Sequence, residues 1–144
     1  MVRQEFVMLA DAAEAVGGKI YILGGGTERH LAPGFPTMLR ADIALGLLVG
    51  WGDTNNRHRF SVKFVDEDGG TTLSVDGEFE AGRPAGAKFG QDLRQLIAIR
   101  GPFPIPQAGA YKVVLTLDDE EQQPAFRFWV DETAAPVTPA GGIG

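Results

Sequence analysis

The chain is expected to be all-β, folding as an antiparallel sandwich of about 7–9 strands. Three observations carry this expectation. Twenty glycines and nine prolines recur between short apolar runs, which suits many strands joined by turns rather than a few long helices. Several of those runs alternate apolar and polar residues with period two. Finally, Pro106-Gln107-Ala108-Gly109-Ala110-Tyr111 leads into the alternating segment Lys112-Val113-Val114-Leu115-Thr116-Leu117. A turn-former, then Gly-x-Tyr, then such a strand is how the penultimate strand of an immunoglobulin-like sandwich often begins. There the tyrosine bonds back to the backbone of the preceding corner, so Tyr111 and Gly109 are read as structural residues.

From the amino terminus, Glu5 to Leu9 and Lys19 to Leu23 are apolar enough for strands. Gly17-Gly18 suits a tight hairpin turn, since two adjacent residues there can take positive φ. The rival is a helix over Ala10 to Val16 capped by Gly17, but seven residues make a marginal helix. Gly24-Gly25-Gly26 starts a loop running to about Pro36. Leu39 to Trp51 alternates as one long half-buried strand, and Gly52 to Asn56 is a turn cluster. A hairpin follows. His58, Phe60, Val62 and Phe64 face one way; after the Asp66-Glu67-Asp68-Gly69-Gly70 turn, Leu73, Val75 and Phe79 face the same core.

Gly82 to Gly90 reads as a loop, and Leu93 to Ile99 as a strand with its second face partly covered. Proline at 102, 104 and 106 bars Gly101 to Pro106 from a central strand, so it is expected as an edge or a crossing between sheets. The Tyr111 strand, a turn at Asp118-Asp119-Glu120-Glu121 and a strand over Ala125 to Val130 complete the sandwich. Residues 1–131 are thus expected as a single β-sandwich domain, and residues 132–144, rich in Ala, Pro and Gly, as a flexible tail.

Thirteen basic and nineteen acidic residues give a net charge of −6, which disfavours binding to nucleic acid. The absence of cysteine excludes disulfides, zinc–thiolate sites, iron–sulfur clusters and cysteine nucleophiles, and it fits a reducing compartment. With no signal-like amino terminus and no apolar stretch long enough to span a bilayer, a cytoplasmic protein without membrane contact is expected.

Motifs that could carry chemistry have plainer explanations. Gly24-Gly25-Gly26 lacks the lysine and following helix of a phosphate loop. Asp66-Glu67-Asp68-Gly69 begins like a calcium loop, yet Gly77 stands where an EF-hand needs glutamate, and an aspartate-capped turn explains the run as well. His58 is expected on the apolar face, where Asp53, Asn55 and Asn56 could join it in a polar cluster. Ser61 and Ser74 lie on outward faces without a nucleophile elbow, so hydrolysis is disfavoured. Neither a cofactor nor a metal is expected, and no catalytic residue is assigned.

The remaining clue is aromatic. Trp129 falls opposite Phe126, Phe128 and Val130, beside Arg127, which places it on the outer sheet face. Phe35, Phe89 and Phe103 fall in loops. Such residues either mark a partner or carbohydrate surface or cover a sheet edge. Trp129, Arg127, Phe103, Phe35 and Phe89 therefore form the candidate interaction surface.

The pieces Leu9-Ala10-Asp11, Gly18-Lys19-Ile20-Tyr21-Ile22-Leu23-Gly24-Gly25, Arg57-His58-Arg59-Phe60, Val65-Asp66-Glu67-Asp68-Gly69, Phe103-Pro104-Ile105-Pro106 and Gly109-Ala110-Tyr111 carry a resemblance. Over roughly residues 5 to 130 the chain resembles a family of small, largely actinobacterial proteins of unknown function with an immunoglobulin-like sandwich. The matching motifs are structural and transfer no catalytic residue. The expectation is a non-catalytic binding or assembly module, its partner another protein or a second copy of itself. The alternative is a small-ligand or carbohydrate-binding sandwich.

Overall fold

The computed structural model describes residues 1–134. In chain order its strands are β1 (Val2–Ala10), β2 (Ala12–Val16), β3 (Lys19–Leu23), β4 (Arg29–Ala32), β5 (Thr37–Leu39), β6 (Asp42–Val49), β7 (Arg57–Asp66), β8 (Thr71–Glu80), β9 (Leu93–Ile99), β10 (Phe103–Ile105), β11 (Gly109–Leu117), β12 (Glu120–Glu121) and β13 (Phe126–Glu132). A 3₁₀ turn, Trp51–Asp53, precedes β7. The chain is an all-β sandwich, as its sequence predicts.

One sheet has the order β1-β6-β9, the other β4-β13-β11-β7-β8, with β12 attached to β11. All pairings are antiparallel except that of β4 with β13. Leu9 of β1 and Ile43, Leu45 and Leu47 of β6 enclose the core from one side. Val62 and Phe64 of β7, Val113 and Leu115 of β11, and Phe128 of β13 enclose it from the other. The period-two pattern thus becomes two buried faces, and burial of these side chains is the main drive to fold.

Gly17 and Gly18 do make a hairpin turn, both with positive φ (60° and 74°), and Ala10 to Val16 is not helical. The strand paired with β3 is β2, whereas the Glu5–Leu9 segment runs in β1 against β6. The Phe6 ring lies where a Cβ on its β6 partner Gly46 would stand. The β2–β3 hairpin lies against β6 and β9, which gives β9 its partly covered second face.

Leu39 to Trp51 is not one strand. The chain leaves the β5–β10 ribbon at Arg40-Ala41 and enters the β1-β6-β9 sheet at Asp42. There the Asp42 carboxylate accepts hydrogen bonds from the N–H groups of Ala13 (2.9 Å) and Gly101 (3.0 Å). This side chain ties the hairpin and the chain after β9 to the start of β6. The proline-spaced segment pairs only with β5, because alternate missing N–H groups leave it too few donors for two neighbours.

The loop expected from Gly24 to Pro36 contains β4, the edge strand parallel to β13. At the other end β13 continues through Glu132, and Thr133 N–H bonds the Ala32 carbonyl at 2.8 Å. The ordered chain therefore runs past residue 131; the rest of the expected tail, 135–144, lies outside the described residues.

The Tyr111 hydroxyl donates to the Gln107 carbonyl, as the corner motif predicts, and its ring stacks on Phe128 with centroids 5.4 Å apart. Gly109 has φ 141°, and a Cβ there would collide with the Glu67 carboxylate that accepts from Ala110 N–H. Tyr111→Phe should keep the stack, lose the bond and lower unfolding free energy by about 1 kcal/mol. Chemical denaturation with an unchanged m-value would show it; no change would mean that water replaces the bond at no cost.

Candidate functional site

Two polar arrangements stand out, one at an end of the sandwich and one on its surface. His58 is buried at the start of β7, its ring stacked on Phe79 of β8 with centroids 5.3 Å apart. Nε2 lies 2.7 Å from the Asp53 carbonyl and Nδ1 lies 2.7 Å from Asp118 Oδ2. A carbonyl and a carboxylate can only accept, so the geometry calls for a proton on both nitrogens, an imidazolium. Burial pushes the His58 pKa down, but the Asp53 carbonyl and the Asp118 carboxylate outweigh it and leave the pKa raised. Burial likewise raises the Asp118 carboxyl, while Arg59 N–H, which donates to Oδ1 at 2.9 Å, and His58 reverse that and hold it low.

The His58–Asp53 proximity was legible, through the Asp53 carbonyl rather than its carboxylate, which meets the amino terminus of Met1. The two asparagines do not join. Asn55 takes positive φ (63°) and donates its N–H to Ala81, a turn role, and Asn56 is exposed and makes no bond to the ring. Asp118 was read as part of a solvated turn. It arrives because β7 and β11 pair, setting Phe60 opposite Leu117. With both ring N–H donors engaged and Phe79 over its face, His58 is a structural clamp.

The second arrangement is the outward face of the β4-β13-β11-β7-β8 sheet. Register sets Arg29 beside Trp129 and Trp129 beside Ala110; in the next row Arg127 stands opposite Lys112, and Lys112 opposite Val65. Lys63 faces Val114 one row on. Arg29, Lys63, Lys112 and Arg127 form no salt bridge among the described residues. Like charges directly across strands destabilise a sheet, so folding alone gives no reason for the Lys112–Arg127 pair. Trp129 is half-buried among these cations, and Val114 is buried although it points outward, as expected where aliphatic stems lie along the sheet. Asp131 and Glu67 border the patch, the latter engaged with Ala110 N–H at 3.1 Å.

Further along the same face acidic residues interleave with Arg57 and Arg59, and Arg57 pairs with Glu78 at 3.6 Å. Asp76 stands opposite Ser61, Glu78 opposite Arg59, and Glu121 opposite Thr116. Arg59 is taken up by Asp119 at 2.7 Å. Arg59, Ser61, Asp76, Glu78, Thr116 and Asp119 line an open concavity of about 480 Å³. The Ser61 hydroxyl oxygen, buried beneath these side chains, has no hydrogen-bond partner among the described residues.

The candidate aromatics separate. Trp129 and Arg127 are outward, as read. Phe103 is only 4% exposed and meets Phe64 edge-on at 5.4 Å, because the β5–β10 ribbon closes one end of the core. Phe35 is partly buried against the same core. Phe103 is therefore a core residue, while Phe35 keeps part of its ring exposed. Phe89 is 90% exposed and edge-on to Trp51 at 5.4 Å, while the Arg83 guanidinium lies 3.8 Å over the Trp51 ring. In the acidic turn, Asp66 Oδ1 accepts from Asp68 and Gly70 N–H at 3.0 and 2.8 Å, the capping role that explains the run without calcium.

Fold and site together define an all-β sandwich whose outer sheet face carries a group of cations without salt-bridge partners among the described residues. The chain belongs to the family of unknown function DUF6941, whose model matches residues 5–126. No curated protein matches it.

Proposed function

We propose that this protein is a non-catalytic binding or assembly module whose working surface is the outward sheet face around Trp129 and Arg127. The observation that carries this reading is the group Arg29, Lys63, Lys112 and Arg127, unpaired among the described residues of a chain with net charge −6. Cations gathered at a cost in sheet stability around a half-buried tryptophan suit an acidic protein surface, with tryptophan and arginine as anchors. The Tyr111–Gln107 bond supports an immunoglobulin-like relationship, and a chain without cysteine fits a reducing, cytoplasmic setting.

Immobilised protein should enrich an acidic partner from native lysate of its source. Lys112→Glu/Arg127→Glu should lose that partner, whereas Tyr21→Ser/Leu23→Ser on the exposed β2–β3 hairpin should keep it. Equal recovery on both variants would overturn the choice of face. A ligand-binding reading rests on Phe89 and Trp51 and predicts fluorescence quenching by some glycan. The Arg83 guanidinium already covers one face of Trp51, which leaves a sugar less ring to stack on.

A further inference from the structure

Strand β4 leaves one edge of its sheet open. Trp129 N–H donates to the Glu28 carbonyl at 2.7 Å and Thr133 N–H to that of Ala32 at 2.8 Å, so the even-numbered residues there turn their backbone groups to β13. Backbone groups alternate along a strand, so the N–H and C=O of Arg29 and Leu31 turn the other way, where no strand pairs with them among the described residues. Strand β5 presents a second open edge for a different reason. Met38 stands opposite Pro104, which has no N–H to give. The bonds between β5 and β10 therefore run through Thr37 and Leu39, and the backbone of Met38 points away from β10.

Both edges border one open cleft of about 610 Å³, with Arg29 and Leu31 on one wall and Met38 and Arg40 on the other. Leu31 is 72% exposed and Met38 53%, so large apolar side chains stand beside unpaired backbone. Arg29 and Arg40 have no salt-bridge partner among the described residues, and no acidic residue among those described lines the cleft.

We infer that this cleft holds an extended acidic segment of a partner protein, added to the sheet as a strand beside β4. The inference rests on the reading of this protein as a module for an acidic partner and names how that partner is held. An extended chain offers donors and acceptors at the spacing of the Arg29, Leu31 and Met38 backbone groups, whereas a helix spends its own internally. Leu31 and Met38 cover its apolar side chains, and Arg29 and Arg40 select carboxylates. One short strand buries far less than the standard interface of about 800 Å² per partner, so binding should be weak, with Kd in the micromolar range.

A phage-displayed library of random peptides of about ten residues, long enough for a strand, should yield sequences that alternate Asp or Glu with apolar residues. The best of them, made as a free peptide, should shift the amide NMR signals of Arg29, Leu31 and Met38. Leu31→Pro removes an edge donor that β13 does not use, so it should melt like the wild type yet bind the peptide at least about tenfold more weakly. Arg29→Glu/Arg40→Glu alters only exposed side chains and should weaken binding as much, which carries the test should Leu31→Pro not fold. Tyr21→Ser/Leu23→Ser on the β2–β3 hairpin should bind as the wild type does. Failure to enrich any sequence, enrichment without acidic residues, or unchanged binding to either cleft variant would overturn the inference. So would shifts of the same amides on raising the protein's own concentration without peptide, which would seat a second copy there instead. A lysate partner lost on Lys112→Glu/Arg127→Glu but kept on Leu31→Pro would retain the outer face as the working surface and overturn strand addition.

Discussion

His58→Ala is expected to lower unfolding free energy at pH 6 by about 3 kcal/mol, since it removes two charge-assisted bonds and a buried ring packed on Phe79. The stabilisation should depend on pH with a definite sign. The folded state raises the His58 pKa above its unfolded value of about 6.5, so the folded state binds the proton more tightly. Its contribution is complete below that pH and is lost as pH rises through the folded value. Asp118 acts at the opposite end. Its lowered pKa contributes above about 3.9, and that contribution is lost as pH falls through the folded value. The pair therefore helps most between about pH 4 and 6.5. Urea melts from pH 5 to 9 should show stability falling above neutrality in the wild type and a flatter profile in His58→Ala. An ordinary His58 titration by NMR would contradict the clamp.

Phe64→Ala should cost about 4 kcal/mol, the range for deleting a fully buried phenylalanine. Its ring meets Phe103 edge-on at 5.4 Å and Phe128 at 5.1 Å, so truncation leaves a cavity bordered by two rings that β10 and β13 hold in place. Phe64→Leu should recover more than half of the loss. Thermal and denaturant melts would decide the matter: a cost below about 1 kcal/mol would mean that the β5–β10 ribbon collapses into the space.

These two residues show how far the sequence could be read. Phe64 was legible because alternation along β7 is local, and the same rule placed Trp129 and Arg127 outward. Half of the His58 clamp was legible, because Asp53 is a near neighbour along the chain. Asp118 was not. Its approach depends on the pairing of β7 with β11, and nothing in an aspartate-rich turn reports a strand partner sixty residues away. Phe103 was misplaced for the opposite reason. Its proline neighbours forbid a central strand and so suggest surface, yet a two-stranded ribbon satisfies the prolines and still turns the ring into the core. The strand β4 escaped notice because four residues between glycine and proline clusters carry no period.

Local chemistry, then, determined the fold class, most strands, the Gly17-Gly18 and Asp66–Gly70 turns and the Tyr111 corner, since side-chain alternation, φ preference and a bond four residues back are short-range. Tertiary structure alone decided which strands are neighbours. That choice brought Arg29, Trp129, Arg127 and Lys112 into one patch from segments nearly a hundred residues apart and set Asp76 and Glu78 beyond them on the same face. The sign of each residue is written in the chain, but a charged surface is a sum over neighbours, and neighbours exist only once the strands have paired.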